Sequence, residues 1–197
     1  MAEIDSRFDI SDAITALGNM LRYSINWNSE NVTIGNEIEH VQNYLELINI
    51  RFDYKIELKL DMPEYISNQE IPKLTVQPIV ENAVTHGIEA LAANSDIEIK
   101  AAETDEYFDL ILSDRGKGIP PERLVVINKR LARDIGDESD TGGIGLKNVH
   151  DRIIMSFGRE YGVSVASETG RGTRVSIRLP YKYVNYDAVT ASGGDLV

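Results

Sequence analysis

The run Gln77-Pro78-Ile79-Val80-Glu81-Asn82-Ala83-Val84-Thr85-His86-Gly87 sets polar side chains into an otherwise apolar stretch. Glu81, Asn82, Thr85 and His86 fall at i, i+1, i+4 and i+5, which on a helix gathers them along one edge. Asparagine is a poor interior helix former, but its amide oxygen ligates hard cations, and a glutamate can orient a nucleophile or accept a proton. The same edge could equally do no more than meet water. A second cluster, Ser113-Asp114-Arg115-Gly116-Lys117-Gly118-Ile119, sets a carboxylate ahead of two glycines. Such a carboxylate accepts a hydrogen bond from an exocyclic amine, and the glycines admit a flat ring close to the backbone; an ordinary Asp-Gly turn has the same composition. In the third, Thr141-Gly142-Gly143-Ile144-Gly145-Leu146-Lys147-Asn148, a glycine-rich loop runs into a helix. Free amides and the dipole at a helix start cradle phosphate, while a glycine hinge in a flexible loop is the plain alternative. Neither G-x-x-x-x-G-K-[ST] nor G-x-G-x-x-G occurs there, so those two phosphate-binding folds are not supported.

The elements that must position these clusters follow from periodicity. Ile14, Leu17, Leu21 and Ile25 recur every three or four residues and predict an amphipathic helix over residues 9–27, with Ser11 and Asp12 as capping candidates. A loop is expected over 26–35, then a second helix capped by Asn36 and running through Ile38, Val41, Leu45 and Ile48 to about residue 52. Ile56, Leu58 and Leu60 alternate with Glu57, Lys59 and Asp61, which predicts a half-buried strand. Residues 72–92 read as a helix with Pro78 near its start. Strands are expected at 97–100 and 107–112 about a Thr104-Asp105-Glu106 turn, and at 163–167 and 173–179 about Thr169-Gly170-Arg171-Gly172. Helices over 120–133 and 146–157 lie between the two pairs, and 185–197 reads as a loose tail. Strands joined by hairpins with helices between them argue for one mixed sheet covered by helices on one face.

Composition narrows the partners. The chain has 197 residues, and 20 Lys and Arg stand against 32 Asp and Glu for a formal charge of −12, which opposes generic binding to nucleic acid or an anionic membrane surface. Between Asp114 and Glu160, however, nine Lys and Arg meet eight Asp and Glu, so the acidity lies outside the second and third clusters. With no cysteine there is no disulfide framework, thiolate chemistry or Cys-ligated metal. No apolar run approaches the roughly 20 residues of a membrane span, and the N-terminus lacks the pattern of a signal peptide.

Singly these clusters are ambiguous; in order, as helix with Glu-Asn, strand with Asp-x-Gly-x-Gly, loop, and Gly-x-Gly at a helix start, the set resembles the N, G1 and G2 boxes of the GHKL ATPases. Gly172-Thr173 is similar to that family's terminal Gly-Thr element. More narrowly, Tyr44-Leu45-Glu46-Leu47 with Arg51-Phe52, then Ile71-Pro72, Gln77 to Ala83 and His86-Gly87, resemble sensor histidine kinases of the LytS/YesM type, over residues 9–180.

The resemblance implies an α+β fold, the two-layer α/β sandwich of the GHKL (Bergerat) type preceded by a helical extension. It divides the chain into 1–52, a partial dimerisation and phosphoacceptor region with a linker helix; 53–182, the ATP-binding catalytic domain; and 183–197, the tail. It implies ATP and Mg²⁺ as ligands. Asn82 would ligate the metal and Glu81 would orient the attacking nucleophile. Asp114 would take the adenine amino group with Thr173 in support, and Gly116, Gly118 and Ile119 would border the base. Gly143, Gly145 and Leu146 would meet the phosphates, His86 would line the site, and a lid would cover residues 120–142. Many members carry a basic residue where this chain has Thr85; either His86 or a lid residue such as Lys117 would supply that charge, or phosphate affinity would be lower. The reaction implied is transfer of the γ-phosphoryl group to a histidine that this sequence lacks, since no His-Phe-Leu-Asn-like segment occurs. His40 is expected to be a solvated helix residue and His150 a structural one. Implied partners are the histidine-bearing hairpin of a longer kinase, a second copy in a homodimer and a response regulator, with no nucleic acid and no membrane contact by this part, which would lie in the cytoplasm below membrane and sensor segments further upstream. The alternatives are a GHKL-type ATPase that uses hydrolysis for conformational change, and a non-catalytic nucleotide-binding module.

Overall fold

A computed structural model describes residues 15–19, 31–52, 54–133, 135 and 144–182. Most of the expected first helix, including Ile14, Leu21 and Ile25, lies outside these, as do Gly143, residues 134 and 136–142 of the expected lid, and the tail; residues 15–19 are helical.

Strand β1 (Asn31–Thr33) leads into helix α1 (Ile34–Arg51), and the expected loop over 26–35 is therefore corrected at its C-terminal end. The cap moves as well. Thr33 Oγ1 accepts the Asn36 N–H at 3.1 Å while Asn36 Oδ1 accepts the Thr33 N–H at 3.2 Å, so Asn36 closes a capping box whose N-cap is Thr33. β1 pairs antiparallel with β3 (Glu70–Pro72), with Val32 opposite Ile71. Between them come β2 (Ile56–Asp61) and the short helix α2 (Glu64–Ser67).

The helix expected from residue 72 starts later. Pro72 ends β3, Leu74 takes a φ of 60°, and α3 (Gln77–Asn82) begins with Pro78 in its first turn, where a missing N–H is harmless. The helical path continues as a wide π-helical turn over Ala83–Ile88 and a 3₁₀ turn over Glu89–Leu91, and Ala92 at φ 46° ends it. After β4 (Ser95–Glu103) and β5 (Tyr107–Asp114) come α4 (Pro121–Leu131), α5 (Ile144–Phe157), β6 (Gly162–Glu168) and β7 (Gly172–Pro180).

The sheet runs β2-β4-β5-β7-β6, with β2 parallel to β4 and every other pair antiparallel. Register sets Ile99 against Leu112, Leu112 against Val175, and Val175 against Val165, a continuous apolar row beneath the helices. Ile34, Ile38, Val41 and Leu45 of α1 join Ile79, Val80 and Val84 in the same core, each full burial contributing about 1.5–3 kcal/mol. The opposite face is polar and carries ion pairs such as Lys59–Asp96 and Arg178–Asp109. The fold is thus the expected α+β arrangement, a mixed sheet covered by helices on one face.

Candidate functional site: a cavity between α3, α4 and the sheet

Alternation along β5 puts Phe108, Leu110, Leu112 and Asp114 on the covered face, so the strand delivers a carboxylate just where its apolar row stops. Asp114 Oδ1 accepts the Gly116 N–H at 2.7 Å, and the Thr173 N–H also donates to this carboxylate. Burial nevertheless pushes the Asp114 carboxyl above its ordinary range and outweighs both bonds. The strand-end turn has no room for side chains. A Cβ on Gly116 would stand 2.5 Å from backbone carbons of Gly87, whose carbonyl accepts the Lys117 N–H at 3.1 Å. Gly118 sits at φ 69°, and a Cβ there would run into the Glu168 carbonyl.

Asp114 borders a cavity of about 610 Å³ whose walls are α3, the sheet, α4 and the start of α5. Asn82, His86, Asp114, Gly118, Ile119, Leu146 and Thr173 line it. Gly116 lies behind the wall against Gly87, and Gly145 faces Asn82, since a Cβ on Gly145 would be 3.5 Å from Asn82 Nδ2. Asn82 Nδ2 donates to the Pro78 carbonyl at 2.7 Å, which fixes the amide and leaves Oδ1 as the oxygen it can offer a cation.

The edge expected from i, i+1, i+4, i+5 spacing divides in two. Asn82 and His86 line the cavity, whereas Glu81 and Thr85 face α1. Glu81 Oε1 accepts a hydrogen bond from Gln77 Nε2 at 2.7 Å. The Tyr44 hydroxyl, pushed up to about 12 by burial and then by the Glu81 and Glu89 carboxylates, hydrogen-bonds Thr85. His40 is buried at 2% exposure on the same side, which corrects its expected solvation: α1 is covered by α3 as well as by the core. Burial lowers its pKa against the hydrogen bond of Gln77 and the charges of Glu37 and Glu81. His150 keeps the structural place expected of it, its Nδ1 accepting the Val163 N–H at 2.9 Å.

Lys117, Arg123, Arg130 and Lys147 bring positive charge to the cavity wall. Arg123 and Arg130 were not singled out in the sequence, yet with Val126 and Ile127 they share one face of α4 at i, i+3, i+4 and i+7, a periodic signal that a helical reading of residues 120–133 already contains.

A model of the histidine kinase-, DNA gyrase B- and HSP90-like ATPases matches residues 71–183, more than half of the chain and every described wall of the cavity. The chain belongs to this ATPase family. A second model, described as histidine kinase, matches residues 1–56, a stretch that takes in α1. The sensor histidine kinase YesM of Bacillus subtilis is 31% identical over 91% of this chain, and the sensor protein kinase HptS of Staphylococcus aureus is 29% identical over 88%. The chain spans only 29% and 33% of the lengths of these relatives. Among solved structures, the Acinetobacter baumannii histidine kinase AdeS superposes with a TM-score of 0.53 at 14% identity, over 91% of this chain and 81% of that one, a likeness of fold. Among the described residues of the ATPase domain and its α1, no helix is long and apolar enough to cross a membrane.

Proposed function

We propose that this chain is the catalytic part of a sensor histidine kinase, binding Mg²⁺ and ATP in the cavity and passing the γ-phosphoryl group to a histidine on another segment or chain. The observation that carries the reading is the convergence on one cavity of a buried strand-end carboxylate, Asp114, an amide on a facing helix, Asn82, and the cationic wall of Lys117, Arg123 and Arg130. Asp114 would accept the exocyclic amine of adenine, with Gly118 and Ile119 bordering the ring and Thr173 holding the carboxylate through its amide. The phosphates would then extend toward Asn82, Gly145, Leu146 and the amides before them, Gly143 included.

The donor set fits a magnesium ion carried in by its nucleotide. No group of three His, Cys, Asp or Glu side chains able to hold a metal occurs among the described residues, and Mg²⁺ is commonly held by one or two protein oxygens plus phosphates and water. Asn82 Oδ1 would be that oxygen. Bound there, the ion would neutralise charge on the phosphoryl oxygens. The residues of the chain hold the nucleotide in line for attack while the bond from the γ-phosphorus to the β–γ bridging oxygen breaks, a phosphorus–nitrogen bond forms, ADP departs and the imidazole N–H proton is released. Glu81, aligned by Gln77, is the group we assign to orient that imidazole from outside the cavity. Relay to a response regulator, homodimer formation and a cytoplasmic position beneath a membrane sensor complete the proposal; similarity to YesM and HptS supports them.

The test supplies a histidine-bearing hairpin from a related sensor kinase together with γ-labelled ATP and Mg²⁺. Label is expected on the hairpin histidine, with little on the chain alone, and Asn82→Ala should abolish it. Efficient self-labelling of the chain, or steady phosphate release with an unlabelled hairpin, overturns the reading, the second outcome in favour of an ATPase that works by hydrolysis.

A further inference from the structure

The turn between β3 and α3 holds a junction that the proposed reaction does not use. Glu37 of α1, 0% exposed, accepts the Leu74 N–H at 2.7 Å on Oε1 and the N–H groups of Val76 at 2.8 Å and Gln77 at 3.5 Å on Oε2. Its neighbours on that face, Ile34, Ile38 and Val41, are apolar, and the backbone donors offset the cost of a carboxylate among them. Leu74 holds a left-handed φ of 60°, a conformation costly for leucine that persists where surroundings fix it. From the far side Arg152 of α5 donates to the Leu74 carbonyl at 3.0 Å. Burial lowers the Arg152 guanidinium pKa, and the Glu37 charge works against that.

One turn therefore joins α1 to both helices that face each other across the phosphate end of the cavity. α3 carries Asn82 five residues beyond Gln77, and the first turn of α5 carries Gly145 and Leu146. Upstream, Ala16 is buried and Asn19 Nδ2 donates to Asn43 Oδ1 of α1 at 3.2 Å, so α1 stands between the preceding helical stretch and the cavity.

We infer that Glu37 is a positioning residue: its carboxylate ties α1 to the turn that starts α3, so that the placement of Asn82, and with it the metal and phosphate share of nucleotide binding, follows α1. The inference rests on the nucleotide-binding reading above. Because Asp114 is held by β5 and by the Gly116 and Thr173 amides, none of them part of this turn, binding of the base alone depends on Glu37 far less than binding of Mg-ATP does.

Titration calorimetry on the full chain separates the two shares, with adenosine as the probe of the base site and ATP with Mg²⁺ as the probe of the whole. Glu37→Gln, which keeps the shape but replaces one acceptor oxygen by a donor, is expected to weaken Mg-ATP about tenfold and leave adenosine within about twofold. Arg152→Met, which releases the same turn from α5, is expected to show the same split. Unchanged Mg-ATP affinity in Glu37→Gln overturns the inference. So does parallel loss of both ligands, which is what a merely structural role would produce. If Glu37→Gln fails to fold by thermal melting, Arg152→Met decides between the same outcomes. A wild-type chain that binds neither probe overturns the nucleotide-binding reading itself, and this inference with it.

Discussion

Glu81 and Asn82 are adjacent in sequence and serve different spaces: Asn82 lines the cavity, while the Glu81 carboxylate receives Gln77 Nε2 at 2.7 Å on the side of α3 that faces α1. One helical step of about 100° separates them, and α1 covers only the Glu81 side. Two variants should accordingly part company. Asn82→Ala is expected to remove the gain in ATP affinity that Mg²⁺ brings. Glu81→Gln should leave Mg-ATP binding within about twofold, since surface changes away from a ligand are usually near neutral, and lower phosphoryl transfer to a supplied hairpin. Binding titrations with and without Mg²⁺, run beside a transfer assay, check both; equal loss of binding in the two variants would contradict the separation.

Gly116 and Gly87 pack backbone to backbone, which brings the end of β5 against the π-helical turn that carries His86. Gly116→Ala must push these elements apart, and overpacking of this kind costs about 1–3 kcal/mol. We expect a lowered melting temperature together with lost adenosine binding, because the Gly116 N–H that orients Asp114 moves as well. Gly170→Ala is the control, since a Cβ there meets nothing within 4 Å, although its φ of 80° carries a backbone cost; it should lower stability without affecting adenosine binding of the folded chain.

What the sequence made legible was local and periodic. The alternation of Phe108, Leu110 and Leu112 extends directly to Asp114, and the glycines that follow stand where backbone meets backbone. Three-residue β1 offers no period to detect, and its pairing with β3 joins segments nearly forty residues apart. The division of Glu81 and Thr85 from Asn82 and His86, the burial of His40 and the capping of α3 by Glu37 all depend on where α1 lies against α3. That is a tertiary fact: spacing within one helix says which side chains share a face, not which neighbour covers it.

The raised Asp114 pKa has a definite sign. A carboxyl that ionises less readily in the folded chain than in the unfolded one favours folding when protonated, and that advantage is lost as pH rises from the ordinary value of about 3.9 through the raised one. Asp114→Asn keeps an acceptor for the Gly116 N–H and cannot ionise. Its melting temperature relative to wild type should therefore climb as pH rises through that window and then level off, while its affinity for adenosine falls at least about tenfold because the site no longer offers a carboxylate to the amine. A melting difference independent of pH would mean that Asp114 carries no burial cost.

His150 runs the other way. Burial lowers its pKa, with the Asp151 charge opposing and Lys147 assisting, and its Nδ1 must stay unprotonated to accept the Val163 N–H at 2.9 Å. Below the ordinary value of about 6.5 the unfolded chain takes up a proton that the folded chain refuses, so the stability tied to neutral His150 is lost as pH falls. Buried His40 adds in the same direction. The melting temperature is expected to drop between pH 7.5 and pH 5. His150→Gln, which retains an acceptor in a less fitting place, should be less stable than wild type by about 1–3 kcal/mol at pH 7.5, and the gap should narrow toward pH 5. Because the glutamine does not titrate, a gap of constant size across that range would show that the link from helix α5 to strand β6 is indifferent to the charge on His150.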